Sequence, residues 1–233
     1  MKRDNWIAFA PFYLLVIIVF LGISQGGSRA VTSLHQSLPV EREHTVVIDA
    51  GHGGIDGGAT SCTGVLESYI NLEIALRLED FFHFMGYDTV MIRRVDESVY
   101  TQGNTIASQK VSDLKERVRI VNETPGAILI SIHQNSFSDS KYRGAQVFFA
   151  PTAGSRELAR RLQSDFVLHL NPGSNRKAKK ADSIYLMQQI QCPGVLIECG
   201  FLSNPQEEAM LRSREYQLKL CGVIVSSFSL EYQ

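Results

Sequence analysis

The chain has 233 residues, 44% of them hydrophobic, and a formal net charge of −1. That length holds one ordinary domain with an extra segment, or two small domains, and the apolar fraction excludes a disordered chain. No basic excess points to nucleic acid as a partner.

Trp6 to Ile23 is an uncharged apolar run, close to the minimum for spanning a bilayer. Lys2 and Arg3 precede it, which leaves the N-terminus in the cytoplasm and exports the rest of the chain. The rival reading is a cleaved signal peptide, whose apolar region runs roughly 7 to 15 residues before a small-residue site. The run here is longer and SQGGSRA is a weak cleavage site, so an uncleaved membrane helix within residues 1–24 is favoured. Residues 25–43 then read as a linker.

From His44 the chain alternates between strand-like and helical patterns. HTVVID is a β-branched run expected of a strand buried on both faces. LESYINLEIALRLEDFFHFMG carries Ile70, Ile74, Leu78 and Phe81 at helical spacing and stops at Gly86. YDTVMIR predicts a second strand. SDLKERVRIVNE predicts a helix capped by Ser112, with Leu114, Val118 and Val121 on one face. AILISIH and AQVFFAP come next as strands, SRELARRLQSDFVLHL as a helix broken at Asn171-Pro172-Gly173, and SIYLM and GVLIE as two further short strands. A closing helix from about Ser213 to Leu230 turns Tyr216, Leu220, Val223 and Phe228 inward. The pattern predicts an α/β domain over 44–233, a mainly parallel twisted sheet of about six strands with helices on both faces.

In a parallel sheet the strands end on one edge, and ligands bind outside those carboxyl ends. VVID runs into AGHGG with His52, AILISI ends at His133, and GVLI ends at Glu198; Glu67 opens the first helix nearby. The glycines around His52 do not form a phosphate loop. GxxxxGK[ST] is absent, the third glycine of GxGxxG is replaced by Asp56, and about ten residues separate Gly57 from the helix. They serve instead to let the backbone adopt positive φ and pass close to a ligand. Two histidines and a glutamate, His52, Glu67 and His133, make the donor set of a catalytic zinc site. Glu198 then serves as general base and acid, moving a proton from water to a leaving amine. Each residue also has a plain reading: a histidine after a strand is usually structural, and Glu67 suits a helix first turn. A carboxylate closing the apolar run VLIECGF is costly to bury without a partner, and the convergence of the four favours chemistry. His35, His44, His83 and His169 read as solvated or surface residues. Cys62, Cys192, Cys199 and Cys221 match neither a CxxC metal site nor a disulfide framework, and read best as small buried hydrophobes, with a disulfide left open.

IDAGHGGIDGGA, LESYINLEIALRL, SIHQNS and GVLIECGFLSNPQE, in that order, resemble the motifs of the zinc-dependent N-acetylmuramoyl-L-alanine amidases of the amidase-3 family. The resemblance implies His52, Glu67 and His133 as Zn2+ ligands, Glu198 as the catalytic residue, and peptidoglycan as substrate. DLKERVRIVN and Arg93 also fit family patterns, Arg93 as a structural residue. RKAKKADSIYLMQ, the length and the membrane segment are similar to the germination-specific amidases of spore formers. That subgroup implies an extracytoplasmic enzyme, anchored or secreted, that strips the stem peptide from cortex muramic acid before lactam closure, with an accessory activator protein. Ser136 and Cys199 depart from the residues common in the family. Asn135 is a candidate substrate contact or a turn cap. The basic cluster with Lys177 and Lys179 is a candidate contact for the acidic stem peptide or a partner, or a solvated loop. A zinc peptidase acting within the stem peptide and a non-catalytic wall-binding scaffold are the rival functions.

Overall fold

A computed structural model describes residues 43–232, which lie within one compact unit, Arg42–Gln233. The expected transmembrane helix, His35 and all of the linker but Glu43 fall outside the described residues. No helix among the described residues is long and apolar enough to cross a membrane.

In chain order the elements are β1 (Thr45–Ala50), α1 (Glu67–Phe84), β2 (Asp88–Met91), α2 (Ile106–Glu123), β3 (Ala127–Asn135), β4 (Gln146–Phe149), α3 (Ser155–His169), β5 (Lys179–Lys180), α4 (Tyr185–Gln189), β6 (Gly194–Phe201), α5 (Pro205–Leu211) and α6 (Arg214–Glu231). They build a six-stranded sheet ordered β2-β1-β3-β6-β4-β5. β2, β1, β3 and β6 are mutually parallel. β4 runs antiparallel to β6 and carries β5 beside it. The sheet is therefore mixed, which corrects the expectation of a mainly parallel one at this edge.

Strand side chains alternate between faces, and here both faces are covered. Val46, Ile48, Ile128, Ile130, Val195 and Ile197 pack beneath α1, α3 and α6 in one fully buried cluster. Val47, Leu129 and Leu196 meet Val121 of α2 and Leu186 and Met187 of α4 on the other face. Each such buried aliphatic side chain contributes about 1.5–3 kcal/mol. The central strands are apolar runs for that reason.

Two local expectations are corrected. The helix containing DLKERVRIVN begins at Ile106, not after Ser112. Thr105 and Ser108 form a reciprocal capping box there, while Ser112, inside the helix, accepts through its hydroxyl from the Thr101 and Gln102 amides of the preceding loop. SIYLM is not a strand: Tyr185–Gln189 is helical. Lys179–Lys180 takes the place beside β4, so the following apolar pair, Leu186 and Met187, is buried by a helical turn instead. All four cysteines are free thiols, Cys199 and Cys221 buried, Cys192 partly buried and Cys62 exposed.

Candidate metal centre and catalytic edge

His133 and Glu198 face each other across β3 and β6 in register. The two-residue strand period puts them on the side of Leu129 and Leu196, where α2 and α4 border a cavity of about 440 Å³. His52 lines the same cavity from the turn after β1. Glu67, the first residue of α1, comes from the side and is 3% exposed.

The three expected ligands converge. His52 Nε2 lies 3.4 Å and His133 Nδ1 3.1 Å from the same Glu67 Oε1. One donor atom from each residue lies within 4.8 Å of the others. The other Glu67 oxygen accepts from the Ala59 amide at 2.9 Å, and Oε1 also takes the Gln134 amide and Asn71 Nδ2. Burial opposes the charge of Glu67, but His133 and His52 hold its pKa well below the ordinary carboxylate range. Burial likewise opposes a charged His52, yet Glu67 and Asp56 push its pKa up to about 9.

The glycines make room for these groups. A Cβ on Gly51 would sit 2.2 Å from the His133 ring, and one on Gly58 would sit 2.7 Å from Glu67 Oε2 and 2.8 Å from His52. His52 itself has φ 61°, a conformation that costs a non-glycine residue about 1–3 kcal/mol. Its surroundings hold it there. Arg117 Nη2 donates to the His52 carbonyl at 2.7 Å, and Arg93 Nε and Nη2 donate to the Ala50 and Gly51 carbonyls.

Glu198 Oε2 is buried with no hydrogen-bond partner. Burial pushes the carboxyl up to about 6; His133 opposes this, Glu67 adds to it, and His52 opposes it weakly. Two nitrogen donors, one carboxylate oxygen and a neighbouring partnerless glutamate fit a divalent metal and its base. Asn135 closes β3, partly buried, with its carbonyl taken by the Leu202 amide. It does not line the cavity, and neither do the exposed Lys177 and Lys179. Arg176 of the same basic cluster lies over the Phe201 ring at 5.1 Å and donates to the Arg143 carbonyl.

Reading the sequence missed the groups around His52. Asp56 Oδ2 accepts from His52 Nδ1 at 3.0 Å, and Lys110 Nζ lies 2.7 Å from Asp56 Oδ1. Asp49 Oδ1 and Oδ2 accept from Arg117 and Ser131. An aspartate four residues after the histidine, inside a glycine turn, was the available signal.

A doubly covered α/β sheet with side chains that could hold a metal at its carboxyl edge is the layout of a hydrolase. Residues 46–228 match the Amidase_3 family, N-acetylmuramoyl-L-alanine amidase. The chain belongs to that family and is an N-acetylmuramoyl-L-alanine amidase. It is 34% identical over 226 residues to the germination-specific N-acetylmuramoyl-L-alanine amidase of Bacillus subtilis (strain 168), covering 96% of this chain and 92% of that one. The CwlD amidase of Clostridioides difficile, solved in complex with the GerS lipoprotein, matches with a TM-score of 0.77 and 36% identity over 81% of this chain and 98% of that one. An N-acetylmuramoyl-L-alanine amidase from Clostridium difficile 630 gives 0.71 and 29%, over 82% and 97%.

Proposed function

We propose that the chain uses Zn2+, held by His52, Glu67 and His133, to hydrolyse the amide between N-acetylmuramic acid and L-alanine in spore-cortex peptidoglycan. The observation that carries this reading is the meeting of three ligand atoms within 4.8 Å beside a glutamate oxygen that has no partner. When bound there, Zn2+ supplies Lewis-acid polarisation of the carbonyl and acidifies water.

The remaining work falls to the chain's own residues. Glu198 accepts a proton from the attacking water and returns it to the leaving alanine nitrogen. A carboxyl titrating near 6 gives up and regains a proton near neutral pH at little cost. Glu67 stays ionised, and the Ala59 amide on one oxygen and the Gln134 amide and Asn71 Nδ2 on the other fix its carboxylate beside the two imidazoles. Asn135 is proposed to contact substrate beside His133, and Lys177 and Lys179 to meet the polymer away from the reacting bond.

The cortex role rests on likeness to the germination-specific relative. The GerS complex of the structural relative supports an accessory lipoprotein for this chain as well. An extracytoplasmic site, with the N-terminal segment as anchor or cleaved leader, completes the proposal. Mass spectrometry of digested cortex muropeptides tests it: free peptides beginning with L-alanine are expected. Loss of a single terminal residue would instead identify a stem peptidase.

A further inference from the structure

Helix α2 brings three side chains to one place. Lys110, Asp113 and Arg117 recur at three- and four-residue spacing, which puts them on one helix face, and all three line the cavity that holds His52. Lys110 Nζ meets Asp56 Oδ1 at 2.7 Å, and Asp56 Oδ2 takes the His52 Nδ1 proton at 3.0 Å. Arg117, 2% exposed, donates to the His52 carbonyl at 2.7 Å and the Ala50 carbonyl at 3.1 Å. Asp113 holds the Arg117 Nε at 2.6 Å and so keeps the guanidinium turned to the loop.

We propose that α2 is the positioning arm of the metal centre: Lys110, acting through Asp56, fixes the tautomer of His52, and Arg117 fixes its backbone. The inference rests on the reading that His52, Glu67 and His133 hold Zn2+. An imidazole whose Nδ1 proton is taken by a carboxylate presents a lone pair at Nε2, and here Nε2 faces Glu67. The left-handed His52 backbone turns the ring inward, and its carbonyl is the atom Arg117 grips. None of these three residues is a catalytic residue; each acts through His52.

An ordinary exposed ion pair between Lys110 and Asp56 would contribute almost nothing, so the two accounts separate experimentally. Zinc is titrated calorimetrically into the chelator-stripped full chain and its D56A, K110M, K110R, D56A/K110M and R117K variants. D56A should bind zinc about 10- to 100-fold more weakly. K110M should be weaker by a smaller factor, and K110R should return to wild type. The double variant should be no weaker than D56A, because Lys110 has no route to the metal except Asp56. R117K should lose about tenfold or more; if it does not fold, the Lys110–Asp56 pair, on partly exposed side chains, carries the test. Wild-type affinity in K110M, or full additivity in the double variant, overturns the proposal. Failure of the wild type to take up one zinc overturns the metal reading instead.

Discussion

Glu198 stands where stability and catalysis pull in opposite directions. Its Oε2 is buried and partnerless, and its carboxyl titrates near 6 in the folded chain against an ordinary 4.5. Between those values the folded chain binds more protons than the unfolded one, so stability falls as pH rises through that window. The full penalty, up to about 2 kcal/mol, is present above pH 6. Replacing Glu198 by Gln should therefore raise the Tm of chelator-treated protein by a few degrees at pH 8 and leave it unchanged near pH 4.5. The same variant should keep its metal and lose turnover, whereas His52→Ala should lose the metal; calorimetric scans with metal analysis check both, and a less stable E198Q at pH 8 would count against the account. His52, His133 and Glu198 were legible in the sequence because each ends or directly follows an apolar strand run. Lys110 and Arg117 were not, because their partnerships span 54 and 65 positions and exist only after folding, and Asp56, four residues past His52, read only as a replaced glycine.

The short helix α5 staples two elements at the catalytic edge. Asn204 caps it through the Gln206 and Glu207 amides, and the buried Glu207 accepts from the Gly144 and Phe201 amides, each at 2.8 Å. The loop leading into β4 is thereby tied to the end of β6, three residues past Glu198. A Gln at 207 keeps one acceptor and turns an amide group against the other N–H. Glu207→Gln should thus cost about 1–3 kcal/mol, read as a lower urea midpoint with unchanged slope. Among the elements, the long apolar strands and the amphipathic helix α3 were readable directly from periodicity, and α6 from its run of apolar residues. SIYLM misled because a short apolar run fits a strand and a buried helical turn equally well. Two charged lysines gave no signal for β5. The direction of β4 did leave a trace: residues 136–145 are too few for the crossover of a dozen or more residues that a parallel strand needs.

Across the whole molecule, a bound metal would join the turn after β1, α1 and the central strand β3, the sources of its three proposed ligands. Without metal, His52 titrates near 9, burial notwithstanding, because Glu67 and Asp56 attract its charge. Metal must displace that proton, so affinity should climb with pH up to about 9. Since the folded chain alone offers the site, zinc at 100 times its Kd should add about 2.7 kcal/mol. Chelation should lower the Tm and abolish hydrolysis, zinc should restore both, and the Tm gap at fixed zinc should be wider at pH 8 than at pH 6. Strand–helix alternation made the layered α/β architecture and its reactive edge readable at this scale, while the strand order β2-β1-β3-β6-β4-β5 depended on pairings that no local pattern encodes. The most direct measurement is anomalous diffraction at the zinc edge from crystals of the full chain. One peak within bonding distance of His52 Nε2, Glu67 Oε1 and His133 Nδ1 is expected; a peak elsewhere, or none at these atoms in an active preparation, would contradict the account.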